Sequence, residues 1–134
     1  MASLGDVHFI SVRDATKLRK AGVRTTESLL RKAANRGDRK RLSDTTGIPT
    51  STILSWSRCA DMMRVKGIGS EYCELLEAVR VRTVEELATS DAVLLARTIS
   101  DANQKNGLVR RVPTEKMIAA WVERAAALQS TVTS

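Results

Sequence analysis

The chain has 134 residues, 43% of them hydrophobic and only four aromatic (Phe9, Trp56, Tyr72 and Trp121), with a formal charge of +7. That length suits one compact domain or two intimately packed halves with a real apolar core. No apolar run approaches the roughly 20 residues of a bilayer span and the N-terminus lacks an apolar signal core, so the reading is a cytoplasmic protein with no membrane contact.

Ala, Leu, Arg, Glu and Lys dominate and strand-like alternation is scarce, which predicts an all-α fold of about eight short helices in a compact bundle. A first helix covers Arg13 to Ala21 and stops at Gly22, a natural residue to follow a helix end. Val23 turns the chain inward, and Thr25 caps a second helix carrying Leu29, Leu30 and Ala33 before Asn35 and Gly37 interrupt it. A short basic helix runs from about Asp38 to Asp44. After Gly47-Ile48-Pro49, a longer helix from Thr50 to about Arg64 buries Ile53, Leu54, Trp56, Ala60 and Met63. The second half predicts helices over Ser70 to Val79, after Thr83 with Glu86 as its capping-box partner, and over Asp91 to Asn106, which Gly107 stops. Pro113-Thr114 introduces a last, Ala-rich helix to about Leu128, and the polar tail from Gln129 is expected to fray.

The most informative stretch is Lys66-Gly67-Ile68-Gly69-Ser70, a tight turn opening directly into a helix. Two glycines permit φ > 0 and leave no side chain between the backbone amides and an approaching anion. Ile68 is the expected plug into the core and Ser70 the expected N-cap. The first-turn amides beyond it carry the partial positive charge of the helix end. As a bare pattern the turn is weak, since most such glycine pairs are ordinary turns.

Repetition strengthens it. Leu18 to Leu29 realigns at an offset of 58 on Leu76 to Leu87, with Leu, Val-Arg-Thr, Glu and Leu matching in place. Farther on, Pro49-Thr50 with Ile53, Trp56 and Ala60 recurs as Pro113-Thr114 with Met117 or Ile118, Trp121 and Ala125. The expected organisation is two tandem repeats, 1–64 and 65–129, packed as one domain, with 130–134 as tail. At the offset of 58, Gly67-Ile68-Gly69 falls on Phe9-Ile10-Ser11, so only the second turn keeps its glycines.

All of the net charge lies in the first half. Residues 1–64 hold 13 Lys and Arg against 6 acids, a net +7, and residues 65–134 hold 9 of each. Arg31, Lys32, Arg36, Arg39, Lys40 and Arg41 crowd one stretch with Asp38 as its only acid. Such a patch attracts polyanions and weakens with salt; the alternative is a solvated helical face.

Catalytic material is scarce. His8 is the only histidine, and no glycine-rich segment ends in the Lys-Ser/Thr of a nucleotide-binding loop. Cys59 and Cys73 fit no metal or scaffold spacing and read as reduced, partly buried thiols. Glu71, Glu74 and Glu77 share one exposed helical face. No enzyme, metal or cofactor is expected.

Trp56, Val65-Lys66-Gly67-Ile68-Gly69, Tyr72, Leu75-Leu76, Thr83-Val84-Glu85-Glu86-Leu87 and Val112-Pro113 together resemble an uncharacterised family of small bacterial proteins, a domain of unknown function with tandem helix-hairpin-helix units. The chain is similar in this respect to the DNA-binding helical units of DNA polymerase beta and of DNA ligases. The resemblance implies hairpin amides that meet phosphates without reading bases. The expected activity is sequence-independent binding of double-stranded DNA through Lys66, Gly67, Ile68, Gly69 and Ser70, aided by the six cations of residues 31–41. The alternative is a protein-interaction or scaffold module that uses the Trp121 and Ala125 to Leu128 face; oligomeric state is not assigned.

Overall fold

The computed structural model describes residues 3–7 and 9–133, so the expectation for His8 lies outside the described residues. Among them the fold is all-α, with eight helices: α1 (Val12–Lys20), α2 (Thr26–Lys32), α3 (Arg36–Thr46), α4 (Thr50–Met62), α5 (Ser70–Ala78), α6 (Val84–Ala88), α7 (Ala92–Asn106) and α8 (Glu115–Ala126). A single 3-10 turn, Leu4–Asp6, precedes α1, and one isolated bridge joins Ser3 to Thr25. Helix α3 starts earlier than composition suggests, because Asn35, read as a breaker, is its N-cap and accepts from the Asp38 amide.

The chain divides into two compact units, residues 1–61 with 131–134, and residues 62–130. In the first, α2 packs on α3 and α1 on the 3-10 turn. Leu4, Leu18, Val23, Leu29 and Ile53 are fully buried there. In the second, α8 packs against α6 and α7, and α5 against α7. Met62, Leu75, Leu76, Leu87, Ile99, Ile118 and Trp121 are its most deeply buried large side chains.

The duplication read from the sequence is repeated in the backbone. The Val23 amide donates to Leu18 O at 2.9 Å, and 58 residues later the Val81 amide donates to Leu76 O at 2.9 Å. Between them the residue that reverses the chain has positive φ in both copies, +87° at Gly22 and +64° at Arg80. The following helix starts alike, with Thr25 accepting from the Ser28 amide and Thr83 from the Glu86 amide. Ile53, Trp56 and Ala60 on α4 are buried, as are Ile118, Trp121 and Ala125 on α8. These matches are what two copies of one helical plan produce.

Two expectations change. Neither cysteine is a free thiol: Cys59 and Cys73 are both buried and disulfide-bonded. Two cysteines outside any metal or scaffold spacing carry no pairing signal in sequence. Along the tail, where fraying is expected, Thr131 donates from its amide and hydroxyl to the buried Asp61 carboxylate at 3.2 and 2.9 Å. The Thr133 amide donates to Ala34 O at 2.8 Å.

Removing one partner from a buried carboxylate costs about 1–3 kcal/mol. Thr131→Val should therefore lower unfolding free energy by about that amount, read as a fall in urea midpoint at constant slope; an unchanged midpoint would show that the tail contact contributes nothing.

Candidate nucleic-acid interface

The glycine turn forms as a closed loop at the start of the second unit. The Val65 amide donates to Met62 O and the Ile68 amide to Val65 O, at 3.0 and 3.1 Å. Ile68 is buried at 4% exposure, so it is the expected plug, and Lys66, Gly67 and Gly69 are exposed around it. The two glycines differ. Gly67 has φ +101°, a conformation that opposes a side chain, whereas Gly69 sits in ordinary extended backbone at φ −99°.

A Cβ at residue 67 would lie 2.8 Å from the Trp121 Nε1, below any normal contact distance. Trp121 is 2% exposed and packs on Tyr72, with ring centroids 5.2 Å apart and planes tilted by 51°. Tyr72 donates its hydroxyl to Arg111 O at 3.1 Å. Arg124 donates from Nη1 to Lys66 O at 2.7 Å. The turn is therefore seated on α8, with an indole under Gly67 and a guanidinium on the carbonyl before it.

The N-cap of α5 is Gly69, and Ser70 is the first helical residue, which corrects the sequence expectation. The reason is local: the first intrahelical acceptor is Gly69 O, which takes the Cys73 amide at 2.9 Å. Gly69 has no side chain with which to cap this helix. In the first repeat the equivalent residue is Ser11, whose hydroxyl accepts from the Asp14 amide at 3.1 Å. The first amides of a helix have no acceptor within the helix itself, and at α5 the N-cap residue brings no side chain to them, a helix end of the kind that receives an anion. Glu71 is exposed beside them and opposes that charge; Glu77, farther along, pairs with Arg82 at 3.2 Å.

The basic cluster lies in the first unit. Arg31, Lys32, Arg36, Lys40 and Arg41 are exposed. Arg41 pairs with Asp38 at 2.9 Å, and beside them Arg31 and Lys32 line a cleft of about 310 Å³. Arg39 does not belong with them. It is 3% exposed and donates from Nη1 to Ala33 O at 2.9 Å and from Nη2 to Thr133 O. Burial, together with the like charges of Arg58 and Arg36, lowers its pKa. Residue spacing could not reveal this, because one of its partners lies at the far end of the sequence. Arg124 was missed for the same reason, although it follows Trp121 by one helical turn.

The family model for a domain of unknown function, DUF4332, matches residues 9–128. The chain belongs to this DUF4332 family. No curated protein and no solved structure matches it. Among the described residues of this DUF4332 chain no group of three or more His, Cys, Asp or Glu side chains is arranged to hold a metal, and no helix is long and apolar enough to cross a membrane.

The two glycines should respond differently to the same substitution. Gly67→Ala combines an unfavourable φ with a clash against a buried ring and should cost roughly 2–4 kcal/mol. Gly69→Ala meets nothing within 4 Å and should cost no more than about 1 kcal/mol. Urea denaturation of both variants checks the ordering, and equal losses would contradict the seating of Gly67 on Trp121.

Proposed function

We propose that this chain is a non-enzymatic module that binds double-stranded DNA without sequence preference, using its glycine turn as a helix-hairpin-helix phosphate contact. The observation that carries the reading is the N-terminus of α5, whose N-cap is a glycine with no capping side chain, behind an exposed Lys66-Gly67 turn. Backbone amides at a helix start bind a phosphate oxygen without reading bases, and Lys66 adds a charge that the phosphate attracts. The exposed cations Arg31, Lys32, Arg36, Lys40 and Arg41 supply longer-range attraction.

Capping chemistry provides the test. Gly69→Asp places a carboxylate over the α5 amides, satisfying them internally while repelling phosphate, and an Asp N-cap is good for helix stability. In fluorescence anisotropy with a short labelled duplex at low salt, this folded variant should bind at least about tenfold more weakly, equivalent to ~1.4 kcal/mol. Gly69→Ala leaves the amides open and should bind nearly as wild type. Undiminished binding by Gly69→Asp sinks the hairpin contact. Wild-type affinity should also fall steeply with salt, and Arg31→Glu with Arg41→Glu should weaken every duplex sequence alike and flatten that dependence.

A second reading, a protein-interaction module, is favoured by Val93 and Leu94, which are 50% and 57% exposed on α7. Of the Trp121 and Ala125 to Leu128 face, Trp121 and Ala125 are in the core, while Ala126 and Ala127 are exposed. This reading requires a salt-resistant complex or self-association that Leu94→Asp abolishes. Cytoplasmic location is part of the DNA-binding proposal and has its own check. Disulfides are rare in a reducing cytosol, so thiol trapping in intact cells should alkylate Cys59 and Cys73 if the chain resides there.

A further inference from the structure

Helices α3 and α4 of the first unit border a groove of about 570 Å³. Arg36 and Lys40 line it from α3, and Thr50 and Ser51 from the first turn of α4. The buried Arg39, with Asp44 and Leu54, completes the lining. Helix α4 begins after Pro49, whose carbonyl accepts from the Thr52 and Ile53 amides and which has no hydroxyl or carboxylate to cap the turn.

We propose that this groove is a binding site for a phosphate group, held by Arg36 and Lys40, by the hydroxyls of Thr50 and Ser51, and by the field of Arg39 in its wall. Two independent observations carry it. The first is the convergence of two exposed cations and two hydroxyls on one concave surface. The second is Arg39, a buried cation whose guanidinium donates to the carbonyls of Ala33 and Thr133, with no carboxylate paired to it among the described residues. Buried charges are ordinarily paired with an opposite charge. Here Arg58 and Arg36 add like charge, which together with burial depresses the Arg39 pKa. An anion in the groove offsets the charges of Arg36 and Arg39, both of which line it. Asp44 opposes it from one end, so the ligand sits toward Arg36 and Lys40.

The site goes beyond the hairpin reading and does not depend on it, sharing with it only Arg36 and Lys40. The phosphate can come from a free phosphate or from a nucleic-acid backbone, and the experiment separates the two. The ¹⁵N-labelled chain is titrated with sodium phosphate, with sodium chloride at matched ionic strength as the control. Saturable shifts of the Thr50 and Ser51 amides are expected with phosphate and not with chloride. They should weaken by roughly tenfold or more in Arg36→Gln with Lys40→Gln, ~1.4 kcal/mol by the usual conversion. Asp44→Asn should tighten the response.

A second titration uses a short duplex and the Gly69→Asp variant, in which hairpin capture is removed. Shifts at the same amides with duplex assign the ligand to the polymer backbone. Shifts with free phosphate alone assign it to a small phosphate. A wild-type spectrum in which these amides move with neither probe, or drift equally with chloride, overturns the proposal. Neither result decides the hairpin contact, which rests on the anisotropy of Gly69→Asp.

Discussion

Trp121 occupies the space in which a side chain at residue 67 would stand, and much of the candidate interface follows from that one steric fact. The indole of α8 reaches within 2.8 Å of the missing Cβ, so residue 67 must be glycine-like in both volume and φ. With the turn pressed onto α8, Arg124 reaches Lys66 O and Tyr72 stacks against the ring. Ile68 enters the core, and α5 starts at Ser70 directly after the N-cap Gly69. Packing density inside a folded unit leaves little room for adjustment, so the position of the turn ahead of α5 is set by a buried contact.

Charge is organised by a comparable division of labour. The six cations of residues 31–41 look equivalent in sequence, yet Arg39 is internal and its guanidinium holds two carbonyls, one of them in the tail. The other five are exposed. A buried arginine with no carboxylate partner among the described residues is costly, and neutral carbonyl dipoles lower that cost only partly. Its presence beneath exposed Arg36 and Lys40 therefore raises the local positive potential more than a surface count indicates. Salt screens the exposed members far more than the buried one.

The sequence made the repeats readable because their signals are local. The offset of 58 predicts a chain reversal after each first helix, and identical Val-to-Leu hydrogen bonds stand at both places. Positive φ at Arg80 was not readable, since arginine replaces the glycine of the first copy while the turn geometry is retained. The N-cap of α5 was misplaced by one residue because serine is the better capping side chain and stands next to a glycine. The roles of Arg39, Arg124 and Thr131 escaped sequence reasoning altogether. Each depends on a partner far away in the chain, and neither periodicity nor propensity registers such a contact.

The two repeats diverge at one position that has direct physical meaning. Ser11 and Gly69 occupy the same place in the plan, ahead of helices of the same length. The serine satisfies an amide of its own helix; the glycine has no side chain to do the same. Replacing an N-cap serine by glycine costs only a few tenths of a kcal/mol, about as little as any capping change. An open, positively polarised helix end is therefore accessible to a duplicated chain at small loss of stability. The closed copy also has Phe9 where the open copy has Gly67. Fold alone does not fix function, but this asymmetry is specific: the copy whose N-cap has no side chain is also the copy whose turn holds a glycine at residue 67, seated against Trp121.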